Sequence, residues 1–243
     1  MSIPKIIHYC WFGHAEKNDL VKKCMLSWKN HLPGFQIIEW NEDTFDIDTT
    51  PLYVKEAYKK SKWAFVADYV RLYALNTMGG IYFDTDVEVL KDLTPFLNSP
   101  MFLGAESKYS ICTAVIGSEP EHSLIKSLME MYDSLSFSDS DGKMNLKPNT
   151  QYFYDFLNSK YGYVSSPNLI SYDELTVYPQ EYFSPINSYT LVKRITDNTA
   201  TIHWFNASWK DWKYRFKMKT MALATRVVGE DFRHQLKSRL KSK

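Results

Sequence analysis

The chain is poor in the features that define several protein classes. It has three cysteines among 243 residues, Cys10, Cys24 and Cys112, and their spacing fits neither a disulfide framework nor a CxxC metal motif. No run approaches the ~20 apolar residues that span a bilayer. The first residues, MSIPKIIHYCWFG, turn polar too early for a signal peptide. We therefore expect free thiols and a cytoplasmic location.

A Gly-rich phosphate loop is also missing. No GxxxxGK[ST] segment occurs, which disfavours the phosphoryl-transfer enzymes built on that loop.

Neither sign of charge dominates, since the chain has 29 Lys and Arg and 28 Asp and Glu, but the charges are unevenly distributed along it. Segment 210–243 holds 11 basic and 3 acidic residues, a net charge of +8. It is either a solvated helix or the contact for an anionic partner, a membrane surface or nucleic acid. A basic segment alone, without a recognisable nucleic-acid-binding motif, is weak evidence for nucleic-acid binding. We therefore predict no nucleic-acid partner.

Strand-like and helix-like segments alternate in the first part of the chain. The predicted strands are 3–12, 35–40 and 81–83, and the predicted helices are 17–30, 51–60 and 64–78. This alternation is typical of an α/β fold with a mainly parallel central sheet flanked by helices. Beyond residue 89 we predict strands at 102–105 and 114–116, helices at 123–135 and 149–159, a loop at 136–148 and an extended segment at 176–185. One domain, 1–211, and a basic amphipathic tail, 212–243, are expected.

The segment WAFVADYVRLYALNTMGGIYFDTDVE, 63–88, concentrates residues that carry chemistry. Asp84 and Asp86 are the first polar residues at the end of a predicted apolar strand, and alternate strand residues face one side, so we expect the two carboxylates to converge on a cation. Mg²⁺ and Mn²⁺ take oxygen ligands and complete their shell with waters and phosphates. The carboxyl end of a strand is also where α/β sheets bind ligands. A DxD arises by chance on loops too, but the buried IYF approach favours a functional site.

Asp68 and Arg71 lie at i and i+3 of the preceding predicted helix and so share one of its faces. They form either a simple intrahelical ion pair, worth little at a surface, or a pair directed at the sheet edge. In the second case they bind ribose, sugar hydroxyls or a diphosphate. The spacing alone leaves both interpretations open.

Together these residues resemble a known family. The runs 67–71 and 79–86, with Leu75 between them, are similar to the DxD-containing sugar-binding region of glycosyltransferase family 32, and more distantly to the catalytic domain of the glucosylating clostridial toxins. IPKIIHYCWFG, YPQEYFSP and HWFNASW are similar to other elements of the family, so the resemblance spans about residues 3–212. It implies a GT-A nucleotide-diphospho-sugar transferase fold, a divalent metal (Mn²⁺ or Mg²⁺), a nucleoside-diphosphate sugar donor and retention of the anomeric configuration.

The resemblance also implies roles for individual residues. Asp86 and His203 would bind the metal, and imidazole is a reasonable Mn²⁺ ligand. Asp84 would contact the ribose or the sugar. Asp68 and Arg71 would hold the donor sugar and its phosphates. With Asp84 and Asp86, they are our predicted catalytic residues.

Three further residues complete the implied donor site. Trp11 would stack on or flank the base, Ser208 is the alternative to His203 in the metal shell, and Trp209 would touch the leaving group. Without the resemblance, the sequence favours a core role for Trp11, and HWFNASWKDW is equally an aromatic packing cluster.

Four other polar residues are open to two interpretations. His8 lies inside the apolar first strand, where a satisfied core histidine is commoner than a ligand. Asn149 and Gln151 are candidates for contact with donor or acceptor, and Glu106 for contact with the acceptor, with ordinary surface hydrogen bonding as the alternative.

The expected function is transfer of a hexose from a UDP- or GDP-sugar to a glycan or lipid-linked saccharide in surface-polysaccharide or capsule synthesis. A non-catalytic sugar-nucleotide or carbohydrate-binding module with the same pocket is the alternative.

The tail interleaves aromatic and basic residues from Trp212 to Leu223, a composition that favours binding to the anionic inner leaflet of a membrane. Their alternation up to Met218 is not cleanly helical. We expect peripheral contact with the inner face of the membrane.

Overall fold

The computed structural model of the chain describes residues 3–206, 212–233 and 235. Its helices are α1 (Asp19–His31), α2 (Leu52–Lys59), α3 (Trp63–Met78), α4 (Ser123–Asp133), α5 (Asn149–Tyr161), α6 (Gln180–Phe183) and α7 (Trp212–Val228). Its strands are β1 (Ile6–Cys10), β2 (Gln36–Trp40), β3 (Gly80–Phe83), β4 (Val87–Val89), β5 (Met101–Ser107), β6 (Ser110–Ser118), β7 (Ile170–Ser171), β8 (Thr176–Tyr178) and β9 (Thr201–His203).

One sheet of seven strands, in the order β2-β1-β3-β6-β5-β8-β7, forms the centre of the fold. Strand β1 pairs in parallel with β2 and β3, and β5 pairs in parallel with β8. Strands β6 and β7 run antiparallel to their neighbours. Five of the seven strands therefore point the same way, and the predicted α/β fold with a mainly parallel sheet is confirmed.

Helices cover both faces of the sheet, as the alternation along β3 shows. Tyr82 packs in an apolar cluster with residues of α2, α3, α4 and α5. Its neighbours Ile81 and Phe83 point to the opposite cluster, which contains Trp28 of α1 and Phe183 of α6. Because β3 is buried on both faces, polar groups collect beyond its carboxyl end, at Asp84.

A Gly-Gly turn sets the path from α3 into β3. Gly79 and Gly80 have φ angles of 63° and 103°, which L side chains rarely adopt. A Cβ atom on Gly80 would lie 2.6 Å from the carbonyl oxygen of Ile6, and one on Gly79 would lie 2.7 Å from Pro120. The turn lets β3 enter beside β1, where His8 pairs with Tyr82. The carboxyl ends of β1 and β3 therefore meet at one edge of the sheet.

Short elements in the second half of the chain differ from the sequence expectation. Strands β4 and β9 form a separate antiparallel pair that the sequence did not predict. Both strands have three residues, too few for a periodicity to emerge. The segment 176–185, predicted as extended, contains strand β8 and then the single-turn helix α6 after Pro179. Proline fits there because it precedes the first helical N–H groups, which lack intrahelical partners.

The described part of the tail is helical and contacts the rest of the chain. Helix α7 begins at Trp212, so the alternating pattern up to Met218 was a poor guide to its structure. Ala222 and Thr225 are buried, and Arg233 donates to the backbone carbonyl of Tyr189 at 2.7 Å. The division of the chain at residues 211 and 212 stays a prediction. Among the described helices, none combines the length and apolarity needed to cross a bilayer.

Candidate functional site

The DxD residues lie in a turn beyond the end of β3, whereas the sequence placed them on an extended strand. The N–H of Asp84 still donates to the carbonyl of Ala114 on β6, at 2.9 Å. The N–H of Val87 then donates to the carbonyl of Asp84 at 3.0 Å, which closes a turn over Asp84, Thr85 and Asp86 before β4 begins. The carboxylates converge through this turn rather than through the two-residue repeat of a strand.

His203 reaches the DxD because β9 pairs with β4. Val87 and His203 are partners in that pair. The Nε2 atom of His203 lies 3.4 Å from Oδ1 of Asp86 and 4.0 Å from Oδ2 of Asp84. The backbone N–H of Asn206 donates to Oδ2 of Asp86 at 2.8 Å, so the loop after β9 also holds this carboxylate. Three side chains from two distant segments thus meet at one point.

The Asp84, Asp86 and His203 side chains offer a suitable ligand set for a divalent cation. One ligand atom from each lies within 4.8 Å of the other two. Two carboxylate oxygens and an imidazole nitrogen match the preferences of Mn²⁺, and Mg²⁺ accepts the carboxylates. The structure therefore brings together the two residues predicted as metal ligands. Their metal-binding role stays a prediction.

The electrostatics of this cluster favour positive charge. Burial opposes ionisation of Asp86, but His203 and the N–H of Asn206 outweigh it and lower the pKa of Asp86. Burial also works against a charged His203, yet Asp86, Asp84 and Glu106 raise the pKa of that imidazole to about 9. The carboxylates thus hold positive charge at this edge of the sheet, as a cation site requires.

Arg71 joins helix α3 to the DxD. Its Nη2 atom lies 2.8 Å from Oδ1 of Asp68 and 3.4 Å from Oδ1 of Asp84. Its Nη1 donates to the carbonyl of Thr113 at 2.7 Å, and its guanidinium stacks 4.6 Å above the ring of Tyr82. The Arg71 side chain is only 5% exposed. The pair is therefore buried and directed at the sheet edge, rather than an isolated surface ion pair.

These contacts refine the predicted roles of Arg71 and Asp68. Each nitrogen of the guanidinium already faces a protein oxygen, the third contact being from Nε to the carbonyl of Ala67 at 3.2 Å. Arg71 accordingly orients carboxylates, and direct contact with phosphates stays a prediction. Burial raises the pKa of Asp68 to about 7, although the Arg71 charge opposes that rise. Tyr82, which the sequence indicated only as core, donates its hydroxyl to Asp84 at 3.0 Å.

Trp11 lies just beyond β1, the strand that pairs with β3. It lines a pocket of about 420 Å³ whose other walls include Lys17, Lys22, Glu39 and Asn41. The indole N–H donates to the carbonyl of Ala15 at 2.7 Å, which fixes the ring at the pocket wall. Trp11 is therefore half-buried: it packs against the core cluster and also lines the pocket. Contact with a base stays a prediction.

The other polar candidates lie at different distances from the site. Glu106 is buried, and one of its carboxylate oxygens lies within 4.8 Å of ligand atoms of both His203 and Cys112. No sequence pattern indicated Cys112, which reaches the site only through the pairing of β5 and β6. Asn149 is buried behind the site, where its amide donates to the backbone carbonyl of Asp68 at 3.2 Å. Gln151 bonds to Asp155 on its own helix, at 2.8 Å.

His8 is a satisfied core residue, as its setting in β1 suggested. The indole N–H of Trp40 donates to its Nδ1 at 3.1 Å, so Nε2 carries the proton that it donates to the carbonyl of Gly79 at 2.8 Å. Burial lowers the pKa of this imidazole, which favours the neutral form. Ser208 and Trp209, predicted for the metal shell and the leaving group, lie outside the described residues.

Comparison with known proteins agrees with this geometry. The chain is 31% identical over 137 residues to mannosyl phosphorylinositol ceramide synthase CSH1 of Saccharomyces cerevisiae, an overlap of 52% of this chain and 35% of the relative. It is 25% identical over 143 residues to inositol phosphoceramide mannosyltransferase 3 of Schizosaccharomyces pombe, covering 56% of this chain and 39% of that protein. The chain thus spans well under two thirds of the length of these relatives.

A solved structure is similar in fold. The PaToxG glycosyltransferase superposes with a TM-score of 0.51 at 17% identity, over 66% of this chain and 70% of the other. At this identity the likeness concerns architecture alone, and it agrees with the predicted GT-A fold. Residues 18–108, which contain the DxD, Asp68 and Arg71, match the family described as the glycosyltransferase sugar-binding region containing DXD motif. The resemblance inferred from the sequence is confirmed, and residues 18–108 are similar to that glycosyltransferase family.

Proposed function

We propose that the chain is a metal-dependent, retaining glycosyltransferase that moves a hexose from a nucleoside-diphosphate sugar to a saccharide or lipid-linked acceptor. The observation that carries this proposal is the meeting of Asp84, Asp86 and His203 at the carboxyl end of β3. The family match of residues 18–108 supports a divalent metal and a nucleotide-sugar donor. The names of the two yeast relatives support mannose among the candidate hexoses.

The chemistry requires stabilisation of the leaving diphosphate, where negative charge grows as the C1–O bond breaks. A divalent ion supplies Lewis-acid stabilisation of that charge when it is bound. Asp86 and His203 would hold it, while Arg71 keeps Asp84 in place through the 3.4 Å contact. Because the guanidinium is buried and already bonded, the site is organised before any ligand arrives, and preorganised charge is worth more than mobile charge.

Retention of configuration follows one of two routes. A double displacement needs a protein carboxylate below the anomeric carbon, and we assign none. We favour a same-face path in which the C1–O bond to the diphosphate breaks while the bond from C1 to the acceptor oxygen forms. The departing phosphate then takes the proton of the acceptor hydroxyl. Asp68, backed by Asn149 and held in place by Arg71, would orient the sugar for this step.

The proposed setting is the cytoplasmic face of the cell membrane. The net +8 of segment 210–243 supports contact with anionic lipid, and the names of the yeast relatives, whose products and substrates are lipids, support a lipid-linked acceptor.

A panel of UDP- and GDP-sugars tests the function directly. Release of the nucleoside diphosphate is measured with Mn²⁺, with Mg²⁺ and with a chelator, for the wild-type chain and for Asp86→Asn. We expect metal-dependent release from one donor and a loss of about 100-fold or more in the variant. Asp141→Asn, at an exposed turn position, is the matched control and should keep full activity. Metal-dependent donor binding without any release, with or without added acceptors, would favour the non-catalytic binding module.

A further inference from the structure

A second buried carboxylate lies next to the DxD cluster. Glu106, near the end of β5, is 6% exposed. The hydroxyl of Ser110 donates to its Oε1 at 3.4 Å, and the side chain of Ser188 also forms a hydrogen bond with it. Its charge interacts favourably with His203 and unfavourably with Asp84. A carboxylate held in this way is a fixed acceptor facing the imidazole.

The imidazole of His203 presents two different sides. Its Nε2 faces the DxD, at 3.4 Å from Asp86. Its Nδ1 is buried and has no hydrogen-bond partner within the described part of the chain. Buried polar nitrogens are nearly always hydrogen-bonded, so this atom points to a missing interaction. The Glu106 carboxylate, within 4.8 Å of a ring nitrogen of His203, is the nearby acceptor.

A second metal site at Glu106, Cys112 and His203 is the competing interpretation, because their ligand atoms also lie within 4.8 Å of one another. Burial in apolar surroundings raises the pKa of the Cys112 thiol, which disfavours the thiolate that a metal needs. His203 would also have to serve two ions at once. A single ion with a supporting carboxylate accounts for the same neighbours more simply.

We infer that Glu106 is a positioning residue that accepts a hydrogen bond from Nδ1–H of His203 and thereby directs the Nε2 lone pair at the cation held by Asp84 and Asp86. Histidines that bind metals commonly donate their other N–H to a carboxylate, which fixes the tautomer and the ring orientation. The inference rests on the proposed function, since it assumes that His203 is a metal ligand.

The test is Mn²⁺ affinity of the full chain, alone and with UDP or GDP, followed by the electron paramagnetic resonance signal of free Mn²⁺. Removal of a supporting carboxylate typically weakens metal affinity 10- to 100-fold, so we expect about that loss in Glu106→Gln. Glu106→Asp, which keeps the charge, should recover part of it. Glu130→Gln, at an exposed position of α4, is the control. The visible absorption of bound Co²⁺ should shift in Glu106→Gln, because the ligand field at the ion changes.

Each alternative gives a different result. If Glu106→Gln does not fold, Ser110→Ala, which loosens the same carboxylate, should weaken Mn²⁺ by about threefold. Unchanged affinity in the Glu106 and Ser110 variants, with binding still abolished by Asp86→Asn, would overturn the inference and leave the proposed function standing. Two ions per chain, one of them lost in Cys112→Ser, would overturn it in favour of a second site. Mn²⁺ binding that is absent, or unaffected by Asp86→Asn, would overturn the proposed metal site itself.

Discussion

Nη2 of Arg71 lies 3.4 Å from Oδ1 of Asp84, although one residue belongs to helix α3 and the other to the turn after β3. The same nitrogen lies 2.8 Å from Oδ1 of Asp68. One guanidinium therefore neutralises two carboxylates that would otherwise repel each other. This contact couples the position of the DxD turn to the helix that precedes it.

Arg71→Lys should damage both stability and activity. An ammonium cannot reproduce the planar fork that reaches Asp68, Asp84 and the Thr113 carbonyl together. We expect a loss of about 1.5–3 kcal/mol in the free energy of unfolding, because hydrogen bonds to charged groups are lost while the positive charge remains. Chemical denaturation gives the stability, and nucleoside diphosphate release gives the activity. Arg194→Lys, at an exposed position, should change neither. Wild-type stability in Arg71→Lys would show that an ammonium holds the two carboxylates as well as the planar guanidinium does.

Tyr82→Phe isolates one hydrogen bond of the site. It removes the hydroxyl that donates to Oδ1 of Asp84 at 3.0 Å and keeps the ring that stacks on Arg71. The free energy of unfolding should fall by about 1 kcal/mol. The turnover number for donor cleavage should fall as well, because Asp84 gains freedom. A variant with unchanged turnover and reduced stability would limit the hydroxyl to a structural role.

The sequence predicted that the residues on this side of the site would converge, because they are close together along the chain. Asp68, Arg71, Asp84 and Asp86 fall within one helix, one Gly-Gly turn and one apolar strand, each with a strong local pattern. The turn at the DxD was not predicted, because a short strand and the turn that follows it have no distinguishing period. His203 was suggested only by resemblance. It reaches Asp86 through the pairing of two three-residue strands, which no local pattern indicates.

Non-local pairing also explains why Glu106 had no clear role in the sequence. Its setting depends on the register of β5 against β6, with bulges between Phe102 and Gly104 and between Ala105 and Ser107. A bulge changes which side chains share a face, so strand alternation cannot place Glu106 beside His203. For Trp11, the sequence predicted the strand but not the pocket, because the pocket is also formed by loop residues such as Asn41.

Trp11→Ala should weaken donor binding more than turnover. The ring forms one wall of the pocket next to the end of β1, and stacking of a base on an aromatic ring is worth about 1–3 kcal/mol. That range corresponds to a rise in KM for the donor of about 5- to 150-fold. Trp11→Phe, which keeps an aromatic face, should recover most of the affinity. Equal KM values for Trp11→Ala and the wild type would place the base elsewhere.

Stability should also depend on Glu174, away from the site. Ser123, Tyr161 and Lys160 bond to this carboxylate and lower its pKa to about 2, against an ordinary value of 4.5. A depressed folded-state pKa stabilises the native state above the unfolded pKa, and that contribution is lost as pH falls from about 4.5 towards 2. Glu174→Gln should therefore cost about 1 kcal/mol at pH 7, because the side chain is 35% exposed and solvent screens its charge.

Denaturation curves between pH 7 and pH 3 check this prediction. The difference between the wild type and Glu174→Gln should shrink as the pH falls, since protonation removes the same charge that the substitution removes. A difference that stays constant across this range would mean that the carboxylate contributes through packing rather than through its charge.

Membrane contact is best tested by point substitution on α7. Because Ala222 and Thr225 pack against the body, deletion of the tail would disturb the fold as well as any lipid contact. Leu223 and Val227 lie one helical turn apart and are 58% and 86% exposed, so an aspartate at each should leave the core intact. We expect the double variant to lose flotation with vesicles rich in phosphatidylserine, since it removes apolar area and adds negative charge. Leu26→Asp, equally exposed on α1, is the control. Equal flotation of the wild type and the double variant would show that the face of Leu223 and Val227 does not bind the membrane. Any membrane contact would then depend on the basic residues alone.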